Sequence, residues 1–367
     1  MFDVIIIGAG PAGTAAAFDL LTKGLIKVLI LDKVEFPRKK ACAGGITPKG
    51  YHLFRYDISS QVKRECRTVR INSNHKKSFL INDENTLCYM TKREELDLFS
   101  LSKVMEKGGE FKVIKNIQSI IETPFCVEIH AGNQMFKASY LIGADGANSS
   151  VRRYVTRDTF YHKQFAIEAD VKIDYPERHH MEFDFSRSKN CYFWIFPKDD
   201  HVNIGCYCVD ANSRPRRQML FKFAEDRHLK GSLESIKGYP ICTGGFNYRL
   251  DSKRILLAGD AAGFSERLLG EGIFFAVKSG QLAAGSILES EQHSLPAQDL
   301  YQKKIKRIQN DLKIYELSSK WFYRFPWISL KALSVPFIHK RFAKGYAEGK
   351  TLTQIIYGKT AETRFPE

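Results

Sequence analysis

Val4-Ile5-Ile6-Ile7-Gly8-Ala9-Gly10-Pro11-Ala12-Gly13 sets an unbroken apolar run against a glycine-rich turn. Such a run predicts a parallel strand buried on both faces. Ala15, Ala16, Ala17, Leu20 and Leu21 follow as a helix that stops near Gly24. By itself Gly8-x-Gly10-x-x-Gly13 is a weak pattern. Between a strand and a helix it becomes a dinucleotide-binding turn, with Ala12 inside it. The second glycine lets backbone approach a pyrophosphate, and the helix N-terminus presents free N–H groups and the positive end of a dipole. Lys27 to Asp32 is the next strand, and Asp32, 19 residues past Gly13, is placed to accept hydrogen bonds from a ribose.

Outward from this unit, residues 92–107 have helical periodicity, and strands alternate through 111–142 to Tyr140-Leu141-Ile142. Four long segments then read as antiparallel strands: Phe165 to Ile173, His180 to Phe185, Cys191 to Phe196 and Val202 to Cys208. Residues 216–230 read as helix. A buried strand returns at Arg254 to Ala258, followed by a glycine-rich turn and a helix over roughly 273–289. The expected fold is α/β with an α+β second domain. A discontinuous Rossmann-type domain spans 1–160 and 245–300, an antiparallel sheet is inserted at 161–244, and a helical basic tail covers 301–367.

The chain carries no repeat, no metal-finger spacing and no signal-peptide pattern, so a cytoplasmic protein without a metal is expected. Its longest apolar-rich stretch, Trp327 to Ile338, is interrupted by Lys331 and Pro336 and falls short of the ~20 residues that cross a bilayer. Eight scattered cysteines do not suggest a disulfide framework; Cys206 and Cys208 would share a strand face as small buried hydrophobes. Of the net charge of +15, +9 falls in residues 301–367, which hold 14 Lys/Arg and 5 Asp/Glu. That asymmetry suggests an anionic partner: lipid headgroups, a diphosphate or nucleic acid.

Two further turns follow strands. Gly143-Ala144-Asp145-Gly146 resembles the Asp-Gly motif of flavin hydroxylases and their reductase relatives, and Gly259-Asp260-Ala261-Ala262-Gly263 resembles their Gly-Asp motif. Together with the first turn they imply FAD, with Asp260 accepting from the ribityl chain. Gly270-Glu271-Gly272-Ile273 opens a helix whose N-terminus, in this resemblance, meets the N1 and C2 carbonyl edge of the flavin, where the reduced ring is negative. Arg93-Glu94-Glu95-Leu96-Asp97 resembles a helix start whose arginine contacts FAD.

Lys40-Ala41-Cys42-Ala43-Gly44-Gly45 is similar to the Lys-x-Cys-Gly-Gly-Gly segment of the geranylgeranyl reductase family, with Ala43 in place of a glycine. The resemblance puts Ala43 and Gly44 beside the flavin and makes Cys42 a candidate redox or proton-donating group. Tyr192-Phe193-Trp194-Ile195-Phe196-Pro197 followed by Gly205 resembles the aromatic substrate motif of the same family. On a strand Tyr192, Trp194 and Phe196 project to one face and would wall an apolar slot. Tyr207 stands where the family has a second glycine, which narrows or reshapes that slot.

The resemblance covers about residues 1–290 and implies hydride transfer from reduced FAD to the alkenes of a polyprenyl lipid or diphosphate. No second glycine fingerprint follows a strand, so the electron donor (NADPH, NADH or a small redox protein) is expected to visit transiently. The competing enzyme class is a monooxygenase of the para-hydroxybenzoate hydroxylase type, which shares the FAD motifs but not the Cys42 and Trp194 segments. A third class, an RNA-binding flavoprotein, rests on the basic tail alone. No RNA module accompanies it, so nucleic acid is not the expected partner. In the tail, Tyr301, Ile305, Ile308, Leu312 and Tyr315 form an amphipathic stripe followed by Trp321, Phe322, Tyr323, Phe325 and Trp327. The stripe suits either a membrane interface, which would place the protein peripherally on the inner face, or packing on the body. The sequence does not indicate an oligomeric state.

Overall fold

The structure is a computed structural model, and it describes residues 1–358 except 25, 75–76, 157–160, 211–212, 230, 232 and 294. The end of the basic tail, 359–367, lies outside the described residues.

The apolar run at Phe2–Ile7 is the centre of the first sheet. It pairs in parallel with Val28–Asp32 on one side and Gln134–Gly143 on the other. Glu110–Val113 extends the first side, and Ile255–Leu257 pairs in parallel with the end of Gln134–Gly143. Ile5, Ile6, Leu141, Ile142, Leu256 and Leu257 are fully buried, as the continuous apolar strands require. The helices Pro11–Lys23 and Ile273–His293 pack against each other beside this sheet, bringing together two turns that are over 200 residues apart in the chain.

The second sheet has seven strands. The four expected antiparallel segments appear as His162–Lys172, Met181–Asp184, Cys191–Pro197 and His201–Cys208. Leu233–Thr243 joins one edge. At the other, Thr68–Asn74 pairs in parallel with Met181–Asp184 and in a hairpin with Lys77–Asn82. The sheet thus draws two strands from outside the 161–244 segment. One face packs Ile167, Ala169, Val171, Phe193 and Ile195 against Leu220 and Phe223 of the helix Arg217–Asp226. The opposite face carries Tyr192, Trp194, Phe196 and Tyr207.

One pair of cysteines departs from the expectation of small buried hydrophobes. Cys191 and Cys208 are directly opposed across adjacent antiparallel strands, with Cα atoms 4.1 Å apart, and are joined by a disulfide. Cys208 is therefore not a free buried thiol, whereas Cys206 is. The pairing depends on strand register, which cysteine spacing does not reveal.

The tail is a run of helices, Ala297–Lys304, Lys306–Arg324, Pro326–Leu333, Pro336–Ala347 and Leu352–Tyr357. Its stripe is a packing face: Tyr301, Ile305, Ile308, Leu312 and Tyr315 are all buried, and the Tyr301 hydroxyl donates to the Leu257 carbonyl at 2.8 Å. Beyond Tyr315 the helices turn apolar groups outward. Trp321, Trp327 and Phe337 are 59%, 70% and 75% exposed, a degree of exposure that core packing does not account for. Among the described residues no helix is long and apolar enough to cross a membrane.

Candidate active site

A cavity of about 820 Å³ connects the glycine turns, the aromatic face of the second sheet and the tail helices. The three glycines of the first turn differ in their roles. Gly8 has φ +106°, and a Cβ there would stand 2.3 Å from the Ala144 carbonyl oxygen; at Gly13 it would stand 1.9 Å from the Gly8 oxygen. Both are required by the protein's own packing. Gly10 is not. The nearest atom to a Cβ there is Arg38 Nη2 at 3.6 Å, and Gly10, Pro11 and Ala12 line the cavity. The backbone is open where a pyrophosphate would approach, with a guanidinium opposite whose buried Nε has no hydrogen-bond partner.

Arg38, Lys40 and Arg93 concentrate positive charge here. Arg93 is held by two hydrogen bonds to Asp97, at 2.9 and 2.8 Å, and Arg38 lies 3.4 Å from the same carboxylate. Burial, with Arg93 adding to it, lowers the pKa of Lys40. A bound anion would favour the charged lysine and so oppose both effects, which suits the cluster to a diphosphate. Asp260 lines the cavity with one carboxylate oxygen accepting from the Ser265 hydroxyl at 2.6 Å and the other directed to no described partner. Gly272 lies against this pair: a Cβ there would meet Ser265 Oγ at 2.5 Å and Asp260 Oδ1 at 3.4 Å. Gly272 and Ile273 both line the cavity at the start of the long helix. The residues present therefore fit FAD, with Gly10 and the cations toward its diphosphate and Asp260 toward its ribityl chain.

Two sequence-selected carboxylates stand elsewhere. Asp32 accepts the Ala9 N–H at 2.8 Å and the Lys33 and Val34 N–H groups, clasping the glycine turn to the strand end. Asp145 accepts from Ser150 and Val151 N–H, at 2.5 and 3.2 Å, at the start of the helix Ser150–Val155. Neither lines the cavity, whereas Gly146 does.

The loop holding Cys42, Ala43 and Gly44 is fixed by two groups that the sequence reading passed over. Lys198 donates to the Ala43 and Thr91 carbonyls at 2.6 and 2.9 Å, and Glu168 accepts the Cys42 N–H at 2.8 Å. Burial lowers the pKa of Lys198 and pushes the Glu168 carboxyl up to about 7. Lys198 directly follows the Trp194 motif, a visible signal. Glu168 gave none, since it sits in a strand of alternating polar and apolar residues. A third cluster holds the turn before Gly272. Glu266 accepts the N–H groups of Leu268, Leu269 and Glu271, and Glu271 pairs with buried Lys49 at 2.7 Å and accepts from Thr47 Oγ1 at 2.5 Å.

Tyr192, Trp194 and Phe196 wall the cavity from one strand face, as their spacing predicts. Tyr192 donates to the Leu269 carbonyl at 2.5 Å, and Trp194 Nε1 donates to Asn203 Oδ1 at 2.8 Å. Tyr207 stands beside Tyr192, ring centroids 5.5 Å apart, and donates to the Arg267 carbonyl at 3.0 Å. Pro197 and Gly205 do not line the cavity. Pro197 ends the strand, and Gly205 makes room for the indole of Trp194. The remaining wall comes from tail residues, including Leu317, Trp321, Ala332 and Ile356, which are also solvent-exposed and so form the mouth.

Fold and site together define an FAD-dependent oxidoreductase. Residues 1–237 match the FAD binding domain family, and the chain belongs to it. Among its relatives, an uncharacterised protein of Methanosarcina barkeri is 36% identical over 88% of this chain and 84% of its own length. The chloroplastic geranylgeranyl diphosphate reductase of Arabidopsis thaliana is 28% identical over 79% of this chain and 66% of its own. In fold, the chain is similar to the crystal structure of a geranylgeranyl bacteriochlorophyll reductase-like protein from Thermoplasma acidophilum. That match has a TM-score of 0.75 at 20% identity and covers 98% of this chain and 96% of the other.

Proposed function

We propose that this flavoenzyme saturates alkene bonds in a polyprenyl chain that enters from a membrane surface. The observation that carries the reading is the continuity of one cavity from Gly10, Asp260 and Gly272, past the aromatic face of Tyr192, Trp194 and Phe196, to a mouth among exposed apolar helices. A long hydrocarbon needs this shape: a dry aromatic wall to hold the chain beside the redox group, and an apolar exit for the part not reacting. Bound FAD, once reduced by a transient donor such as NADPH, NADH or a small redox protein, supplies the hydride. The chain's own residues orient the alkene, exclude water and hold the proton that completes the reduction.

The proposed anionic-membrane contact rests on Trp321 at the mouth and on exposed Trp327 and Phe337 of the two helices that follow, with Lys320, Arg324, Lys331 and Lys340 also exposed on this run. Aromatic groups at headgroup depth flanked by basic residues are the composition of an interfacial helix region. The test is to reduce the purified FAD-loaded protein and supply geranylgeranyl diphosphate or an unsaturated diether phospholipid in vesicles. Gain of hydrogen pairs by either lipid supports the proposal and identifies the substrate form; gain of oxygen favours the monooxygenase class instead.

A further inference from the structure

We infer that Glu168 is the catalytic acid of this site, the group that protonates the alkene carbon opposite the one receiving hydride. The inference rests on the reductase reading above. Glu168 lies on His162–Lys172, directly opposite Gly205, which is in turn opposite Trp194. Glu168 and Trp194 therefore flank a residue without a side chain, and both line the cavity. One carboxylate oxygen accepts the Cys42 N–H, which fixes the group against the loop of the reductase-like motif.

The surroundings suit an acid rather than an ion pair. Among the described residues no cation lies within ion-pair distance of Glu168. The charged groups facing it are Lys198, held by two carbonyls, Asp170 on its own strand, and Lys237 in register on the neighbouring strand; Asn203 adds a side-chain hydrogen bond, and Cys42 meets it through its backbone N–H. His201 lies behind Asp170, with Nε2 3.4 Å from Asp170 Oδ1 and Nδ1 2.6 Å from Asp200, which is 61% exposed. Asn203 bridges the two regions by donating to Asp170 at 2.9 Å and accepting from Trp194. Burial raises the carboxyl to about 7, so it is neutral, and able to give up a proton, up to that pH.

The step balances. A hydride from reduced FAD forms one C–H bond as the alkene π bond breaks. The Glu168 O–H bond breaks to form the other, leaving a carboxylate that regains its proton from solvent. The alkene is reduced, and the flavin is oxidised.

The test compares full-length FAD-loaded parent, Glu168→Gln, Glu168→Asp and Cys42→Ser by two readouts. The first, independent of turnover, is infrared titration of the protein. The parent should show a protonated carboxyl band that ionises near pH 7 and is diminished in Glu168→Gln, with Glu266 and the other buried carboxyls raised by burial contributing the remainder. The second is single-turnover reduction of geranylgeranyl diphosphate by dithionite-reduced protein. The parental rate should fall as pH rises through about 7, because the acid must be protonated. Glu168→Gln should be about 100-fold slower or worse, as for loss of a general acid. It should also lose that pH dependence while binding FAD normally, and Glu168→Asp should retain the pH dependence at reduced rate. A Glu168→Gln variant with parental rate and pH profile overturns the assignment, as does a profile abolished by Cys42→Ser alone. Loss of FAD from both Glu168 variants would also overturn it, by making the role structural. If the parent itself reduces no prenyl chain, it is the reductase reading that fails, and the infrared titration still reports whether Glu168 is an acid of this strength.

Discussion

The indole of Trp194 lies across the backbone of Gly205, so that a Cβ added to Gly205 would stand 1.9 Å from Trp194 Cζ2 and 2.3 Å from Cε2. The two residues are opposed on adjacent strands, and the indole is anchored by its hydrogen bond to Asn203. Glycine is needed here for close approach, so that a large ring can lie flat as part of a cavity wall. Gly205→Ala forces the indole up into the cavity. Overpacking of this kind costs about 1–3 kcal/mol. The variant should melt several degrees lower, keep FAD, and turn over prenyl substrate at least tenfold more slowly. Trp194→Ala should likewise keep FAD and lose turnover. Thermal melts with flavin fluorescence and a product assay check both, and loss of FAD from either would make Trp194 a core residue only.

Asp260→Ala should weaken FAD retention. Its carboxylate faces the cavity beside Gly272 with one oxygen taken by Ser265, leaving the other for the ribityl hydroxyls. A hydrogen bond to a charged group contributes about 1.5–3 kcal/mol, or roughly ten- to a hundredfold in affinity. Equilibrium dialysis of the flavin measures this, and unchanged retention would remove Asp260 from the site.

Lys49 and Glu271 form an ion pair beneath the turn that leads to Gly272. Burial by itself would lower Lys49, but Glu271 outweighs it and the net shift is upward. Lys49 therefore stays charged in the folded state, and its contribution is lost only above its ordinary alkaline range. Glu271→Gln leaves a buried cation without its partner, a change that costs about 3–5 kcal/mol. Denaturant unfolding at neutral pH should show that loss, and the double variant Glu271→Gln with Lys49→Met should recover part of it. A Glu271→Gln variant as stable as the parent would contradict the ion-pair account.

The apolar runs and glycine turns were legible because their chemistry is local: Val4 to Ile7 has one way to be buried, and the Tyr301 to Tyr315 stripe repeats with a helix period. The stripe alone left packing and membrane binding equally open, and only the tertiary contacts decide for packing. Thr68–Asn74 and Lys77–Asn82 escaped notice because each is short and half-polar, and they gain a buried face only by joining distant Met181–Asp184. The same holds for Glu168. In Phe165 to Val171 the alternation of Ile167, Ala169 and Val171 with polar residues reads as a solvated outer face. Glu168 on that face in fact looks into the cavity, while Asp170 beside it is partly solvated. Register across three strands, which no local pattern encodes, is what sets Glu168, Gly205 and Trp194 in one row.

The exposed ring of Trp321, Trp327 and Phe337 should act at anionic bilayers. Trp327→Ser with Phe337→Ser should shift the protein from pelleted to free in sedimentation with anionic vesicles, without affecting its melt. Each nearby basic residue contributes about 1 kcal/mol, so high salt should mimic much of the effect. Equal recovery of parent and variant in the supernatant, at low and high salt, would assign these rings no membrane role.

The central claim, that an FAD-dependent enzyme with this cavity saturates prenyl alkenes, is tested most directly by mass spectrometry of geranylgeranyl lipids after incubation with the dithionite-reduced, FAD-loaded protein under anaerobic conditions. The account predicts products heavier by whole pairs of hydrogen atoms, absent when Trp194→Ala replaces the parent. Lipids of unchanged mass from fully reduced, FAD-replete protein would contradict it.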